Sequence, residues 1–151
     1  MQVYSDTIHS FLAKMRANMR SILSKELGFN VRKSRFEFNG YLIPINLVVF
    51  EHDSRLGQFD AHTYQIGINR KLMMLAKDVV INNVLRHEIA HLLTFLKFGP
   101  NVEAHGPEFK EICKSNNWGE DVFRAYANID LENQKFEGDI ASEKVISKIK
   151  K

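Results

Sequence analysis

Residues 87–91 read His87-Glu88-Ile89-Ala90-His91 within a long apolar stretch rich in helix formers. Residues four apart on a helix share a face, so His87 and His91 project side by side if this stretch is helical. Two imidazoles so placed can chelate one Zn²⁺, and Glu88 is then close enough to handle the proton of a water held there. Two solvated histidines flanking a glutamate are the plainer reading. Three specified residues at this spacing favour the other, a zinc hydrolase.

Catalytic zinc usually takes three protein ligands and keeps a fourth position for water. An H-E-x-x-H-x-x-G-x-x-H arrangement is excluded, because Thr94 and Lys97 stand where it needs Gly and His. Glu103, Glu108 and Glu111 are downstream candidates for the third ligand. His105 is the stronger one: it lies just before a helix start, and Gly106 beside it lets the backbone approach a metal closely. The interval from His91 is long enough for the chain to finish the helix and double back. The structural alternative for His105 is a loop histidine capping the next helix.

The elements that must position these groups are legible as periodicities. Tyr4, Ile8, Phe11, Leu12, Met15, Met19, Ile22 and Leu23 recur at three- and four-residue steps, an amphipathic helix with Ser5 or Asp6 as cap and Gly28 as stop. From Arg35 to Met73 the texture is that of three or four short antiparallel strands: Phe36 and Phe38, Ile45 to Phe50, Gln58 to His62, Thr63 to Ile68. Asn39-Gly40, Asp53-Ser54 and Gly57 punctuate them, and Pro44 belongs at a strand start or on an edge. The motif helix is expected at about Val79 to Phe98, capped by Asp78 and ended by Gly99-Pro100. Its row of Ile81, Leu85, Ile89, Leu92 and Leu96, widened by Val84, Leu93 and Phe95, implies packing on more than one side. A further helix is expected from Pro107 to Asn116. Phe123, Tyr126 and Ile129 suggest a last packed segment, Asn133 to Ile140 reads as loop, and Ser142 could cap a short final helix.

The 151 residues, 44% hydrophobic and 26% charged, suffice for one domain with a real core. Net charge is +3 with a pI near 9.0. The cations concentrate early, at Lys14, Arg16, Arg20, Lys25, Arg32, Lys33 and Arg35, against Glu26 alone. Such a face could meet the phosphates of DNA, or be an ordinary solvated surface. The stretch from Glu120 to Asp139 is acidic. One cysteine, Cys113, excludes an internal disulfide and a cysteine-rich zinc ribbon, and is expected as a buried or half-buried helical thiol. With no secretory pattern and no apolar run of membrane-spanning length, a cytoplasmic protein that makes no membrane contact is the default.

"LRHEIAHLL" followed by "HGPEF" resembles the SprT-like domain family, zinc metallopeptidase modules related to the protease domain of Spartan, a DNA-dependent protease. "TYQIGINRKLM" is similar to the family's strand leading into the active-site helix. The resemblance covers about Arg35 to Trp118 and could reach back to the N-terminal helix. It implies an α+β, zincin-like fold, a small antiparallel β-sheet packed against an active-site helix and an N-terminal amphipathic helix. It also implies His87, His91 and His105 as Zn²⁺ ligands and Glu88 as the catalytic residue, the four reached by spacing. A metallopeptidase domain over 1–130 and a tail over 131–151, loop then short helix, follow. The zinc ribbon and the ubiquitin- and DNA-binding extensions of some members are not visible, and "SEKVISKIKK" looks like the opening of a helical module that follows such domains in some bacterial proteins.

The expected reaction is hydrolysis of peptide bonds in a protein or peptide substrate, with Glu88 as general base. The substrate would lie beside an edge strand near Gln58 to His62. His62, Tyr64, Arg86, Arg124 and Tyr126 could each stabilise the developing oxyanion. Two other classes stand beside this one: a nucleic-acid-associated module with structural zinc and no protease activity, and a metal-dependent hydrolase of a non-peptide substrate. The sequence leaves the oligomeric state open.

Overall fold

The computed structural model describes residues 5–75, 77–124, 126–128 and 135–137. The first periodic segment forms α1 (Ser5–Ser21), with Phe11, Met15 and Met19 buried along one stripe. It then widens into a π-helical turn over Ile22–Glu26, with the Leu27 N–H donating to the Ile22 carbonyl at 3.0 Å. Gly28 ends it with a φ of +76°.

Six short strands follow in two sheets. β1 (Val31–Arg32), β2 (Arg35–Phe38) and β3 (Tyr41–Pro44) pair antiparallel in that order. Asn39 and Gly40 join β2 to β3 with φ values of 49° and 85°, the two-residue turn that an Asn-Gly pair favours. Pro44 ends β3, an edge strand among the described residues, where a missing N–H costs no ladder bond.

The second sheet has the order β4 (Asn46–Phe50), β6 (Gln65–Asn69), β5 (Gly57–Asp60). β5 and β6 are antiparallel, but β4 and β6 run parallel, with Leu47 opposite Ile66 and Val49 opposite Ile68. The fold is α+β as expected, while the antiparallel pairing expected throughout is corrected here. Apolar alternation fixes which face is buried, not which way the neighbouring strand runs. The chain leaves β4, lays β5 down one strand-width away, and turns back to fill the gap with β6. Its Ile66 and Ile68 are fully buried.

The loop between β4 and β5 is stitched by one buried side chain. Asn69, 0% exposed, donates to the carbonyls of His52 at 2.9 Å and Arg55 at 2.6 Å, and accepts from the Lys71 N–H. His52 Nδ1 in turn accepts from the backbone N–H groups of Ser54 and Arg55. Each bond satisfies a polar group that burial would otherwise leave unpaired. The start of β5 is thereby fixed in space.

Among the described residues four helices follow β6: α2 (Lys71–Leu75), α3 (Asp78–Phe98), α4 (Pro107–Ser115) and α5 (Glu120–Arg124). The motif lies on α3, whose Ile81, Val84, Leu85, Ile89, Leu92 and Leu93 are buried against the sheet and the other helices. Lys77, not Asp78, occupies the cap position, and Asp78 is the first helical residue. The Asp78 carboxylate is engaged instead by Lys14 Nζ at 2.8 Å. Gly99, φ +83°, closes the other end through its N–H to the Phe95 carbonyl. Cys113 is buried in α4, and burial pushes its thiol up to about 12, so it stays protonated and unreactive near neutral pH.

After α5, β7 (Tyr126–Asn128) pairs antiparallel with β8 (Lys135–Glu137), so part of the 133–140 stretch expected as loop is strand. The expected final helix lies outside the described residues. Among the described residues no helix is long and apolar enough to cross a membrane.

One surface cluster ties three of these pieces together. Arg86 grips Glu26 of the π-helical turn through Nε at 2.9 Å and Nη2 at 2.8 Å, and Trp118 Nε1 donates to the same carboxylate at 3.1 Å. The hydrogen bond from Arg86, outweighing the opposing effect of burial, holds Glu26 below the usual carboxylate range. A lowered folded-state value means stability present above the unfolded value and lost as pH falls through the folded one. Glu26→Gln should therefore cost about 1 kcal/mol at neutral pH, modest because the pair is partly exposed. Urea unfolding should show that difference from wild type shrinking as the pH drops below 4.5.

Candidate metal centre

His87 and His91 stand one helical turn apart on α3, and the chain returns after Gly99 to set His105 just ahead of α4. Pro107 at the first turn of α4 is pre-shaped for a helix start, which fixes the direction of the segment carrying His105. The His87 and His105 Nε2 atoms are 3.1 Å apart, and those of His91 and His105 are 3.2 Å apart. One ligand atom from each of the three rings lies within 4.8 Å of the others, an arrangement that could hold a metal ion. Nitrogens bound tetrahedrally at zinc distances sit about 3.3 Å from one another, so the spacing fits a single shared cation.

The rings are also oriented. His87 is fully buried, and its Nδ1 lies 2.7 Å from the Val122 carbonyl, which can only accept. That bond puts the ring proton on Nδ1 and leaves the Nε2 lone pair for the cation. Val122 itself is held by α5, whose approach is anchored by the Trp118 bond to Glu26. Phe109, fully buried on α4, touches all three imidazoles, with ring centroids 5.0 Å from His87, 4.5 Å from His91 and 5.0 Å from His105. Phe123 extends this wall, 6.1 Å from His105. His91 and His105 are only half-buried, so the cluster is accessible from their side.

Glu88 is 0% exposed and shares the motif face through its three-residue spacing to His91. Its side chain lies against the first residue of β5: a Cβ added to Gly57 would come within 2.7 Å of Glu88 Oε2.

The structure thus brings His87, His91 and His105 together, with Glu88 on the same helix. Glu103, Glu108 and Glu111 are not in the cluster of potential ligand atoms. Among the proposed oxyanion groups, Arg86 is engaged by Glu26 and Asn83, and Arg124 reaches Glu120 at 2.9 Å. Tyr64 packs edge-on against Phe95, and His62 sits exposed in the β5–β6 turn. The Tyr126 side chain lies outside what is described. Three contributors were not singled out from sequence. The Val122 carbonyl is a backbone group that no side-chain pattern marks. Phe109 appeared only as the last residue of the "HGPEF" run, and Gly57 as ordinary loop punctuation.

The chain is similar to known proteins over much of its length. The model of the SprT-like family matches residues 3–130. Protein SprT of Cronobacter sakazakii is 32% identical over 104 residues, covering 69% of this chain and 59% of the relative. Protein SprT of an Enterobacter species is 32% identical over 99 residues (66% and 56%), and that of Salmonella arizonae 28% over 97 residues (64% and 58%). The chain thus spans between 56% and 59% of the length of these curated relatives. No solved structure matches it with significance. With the family model covering most of its length, the chain belongs to the SprT-like family.

Proposed function

We propose that the chain is a zinc-dependent metallopeptidase that hydrolyses peptide bonds, with His87, His91 and His105 holding the metal and Glu88 as general base. The observation that carries the reading is the convergence of three imidazole nitrogens, with a buried glutamate on the helix that carries two of them. Three neutral nitrogen donors suit zinc, and a set of three is the catalytic pattern, where structural sites are commonly closed by four ligands, often thiolates. When bound, zinc supplies Lewis acidity, which makes a water nucleophilic near neutral pH and polarises the scissile carbonyl.

The remaining work falls to the chain's own groups. Glu88 accepts the proton of the attacking water on its carboxylate and returns it to the leaving amine nitrogen. Phe109 and Phe123 line one side of the cluster and limit water there. The substrate runs extended along β5, an edge strand of its sheet among the described residues. Because the Leu56 carbonyl accepts from the Asn69 N–H, the antiparallel alternation turns the N–H and C=O of Gly57 and Phe59 away from β6. Those groups are the ones that can pair with a substrate strand. Chelation should abolish cleavage of an unfolded protein substrate and lower the melting temperature, and zinc should restore both. Activity that survives complete metal removal would contradict the proposal.

DNA-associated proteins are the substrate class suggested by the basic N-terminal segment. Charge reversal at Arg16, Arg20 and Lys33 should weaken binding to single-stranded DNA and flatten its salt dependence. A wild-type chain with no DNA affinity at low salt would end this part of the proposal. A reducing, cytoplasmic setting suits a chain with one buried thiol.

A further inference from the structure

A general base works only if its carboxylate is held in place, and a glutamate has three side-chain torsions to restrain. α3 fixes the Cα of Glu88, while β5 supplies a wall against the far end. The three atoms nearest to a Cβ built on Gly57 all belong to Glu88: Oε2 at 2.7 Å, Cγ at 2.9 Å and Cδ at 3.0 Å. Gly57 is not among the residues with positive φ, so its backbone does not demand glycine. The close approach of Glu88 does.

Neither backbone can retreat. Gly57 lies opposite Ile68 in the sheet, the Leu56 carbonyl just before it accepts from the Asn69 N–H, and the loop leading in is pinned by Asn69 through His52 and Arg55. Glu88 sits on a buried helix between Leu85, Ile89 and Leu92, all 0% exposed. An added methyl group must therefore displace the carboxylate.

We infer that Gly57 is a positioning residue: its bare Cα sets where the Glu88 carboxylate rests, so that β5 both presents the substrate and places the base. The inference rests on the general-base role of Glu88 proposed above. The contact itself can be tested without that role.

The first experiment measures thermal unfolding of the zinc-loaded chain as wild type, Gly57→Ala, Glu88→Ala and the double variant. Gly57→Ala should lower the melting temperature by about 4 °C or more, as overpacking does in a chain this size. In the Glu88→Ala background the same change should cost less than about 1 °C, because the three crowded atoms are gone. Equal losses in both backgrounds would overturn the contact. If Gly57→Ala alone is insoluble, recovery of a soluble fold in the double variant supports the inference, and no recovery overturns it.

The second experiment reads kcat and KM with zinc content. Gly57→Ala should lower kcat by about a hundredfold, with KM within about threefold and zinc content unchanged. Placed on Glu88→Ala, which lacks all three crowded atoms, it should change the residual turnover by less than about threefold. An unchanged kcat, or a rise in KM alone, would overturn the positioning role. Should Glu88→Gln turn out fully active, the proposed function fails while the unfolding cycle still judges the contact.

Discussion

Glu88→Gln is expected to lower peptide-hydrolysis turnover by about a thousandfold, some 4 kcal/mol of transition-state stabilisation, while zinc content and fold are kept. Glutamine has the same length and branching as glutamate, so it fits the space against Gly57 that the carboxylate occupies. It cannot take a proton from water at neutral pH. The substitution therefore removes proton transfer and little else, and the loss should fall on kcat more than on KM. Stopped assays on an unfolded protein, with zinc measured in the same samples, separate this from metal loss. Turnover within tenfold of wild type at full zinc occupancy would assign the base elsewhere.

His105→Ala is expected to weaken zinc binding by about a hundredfold or more and to abolish turnover at ordinary zinc concentrations. This variant carries more information than either helix histidine, because the third ligand was the position that spacing left open among His105, Glu103, Glu108 and Glu111. The structure brings His105 Nε2 to 3.1 Å and 3.2 Å from the two helix nitrogens. Glu103→Gln, Glu108→Gln and Glu111→Gln should each keep zinc. Competition with a chromogenic chelator gives the affinities. If His105→Ala retains wild-type affinity and one of the glutamate variants loses it, the ligand set is wrong.

What the sequence revealed follows from what each signal encodes. The span of α3 and its glycine stop were legible because a 3.6-residue period and a Gly-Pro pair are local features. The pairing of His105 with His87 and His91 was legible because the chemistry demands a third donor. Orientation of β4 against β6 was not, since alternation carries no information about a strand's partner. The π-helical turn at Ile22–Glu26 is a small change in winding stabilised by tertiary contacts, the Glu26–Arg86 pair among them. Val122 contributes a carbonyl, which every residue has, and its role arises only from where α5 falls. Phe109 and Gly57 were visible as residue types. Their meaning depended on neighbours distant in sequence.

The central claim is that three imidazole nitrogens hold one zinc ion beside Glu88, and X-ray absorption spectroscopy of the purified, zinc-loaded chain tests it most directly. The account predicts one zinc per chain with three histidine nitrogens and one further light-atom ligand, all about 2.0–2.1 Å away, and no sulfur. A chain that binds no zinc, or a spectrum with a sulfur shell near 2.3 Å or fewer than three imidazoles, would contradict it.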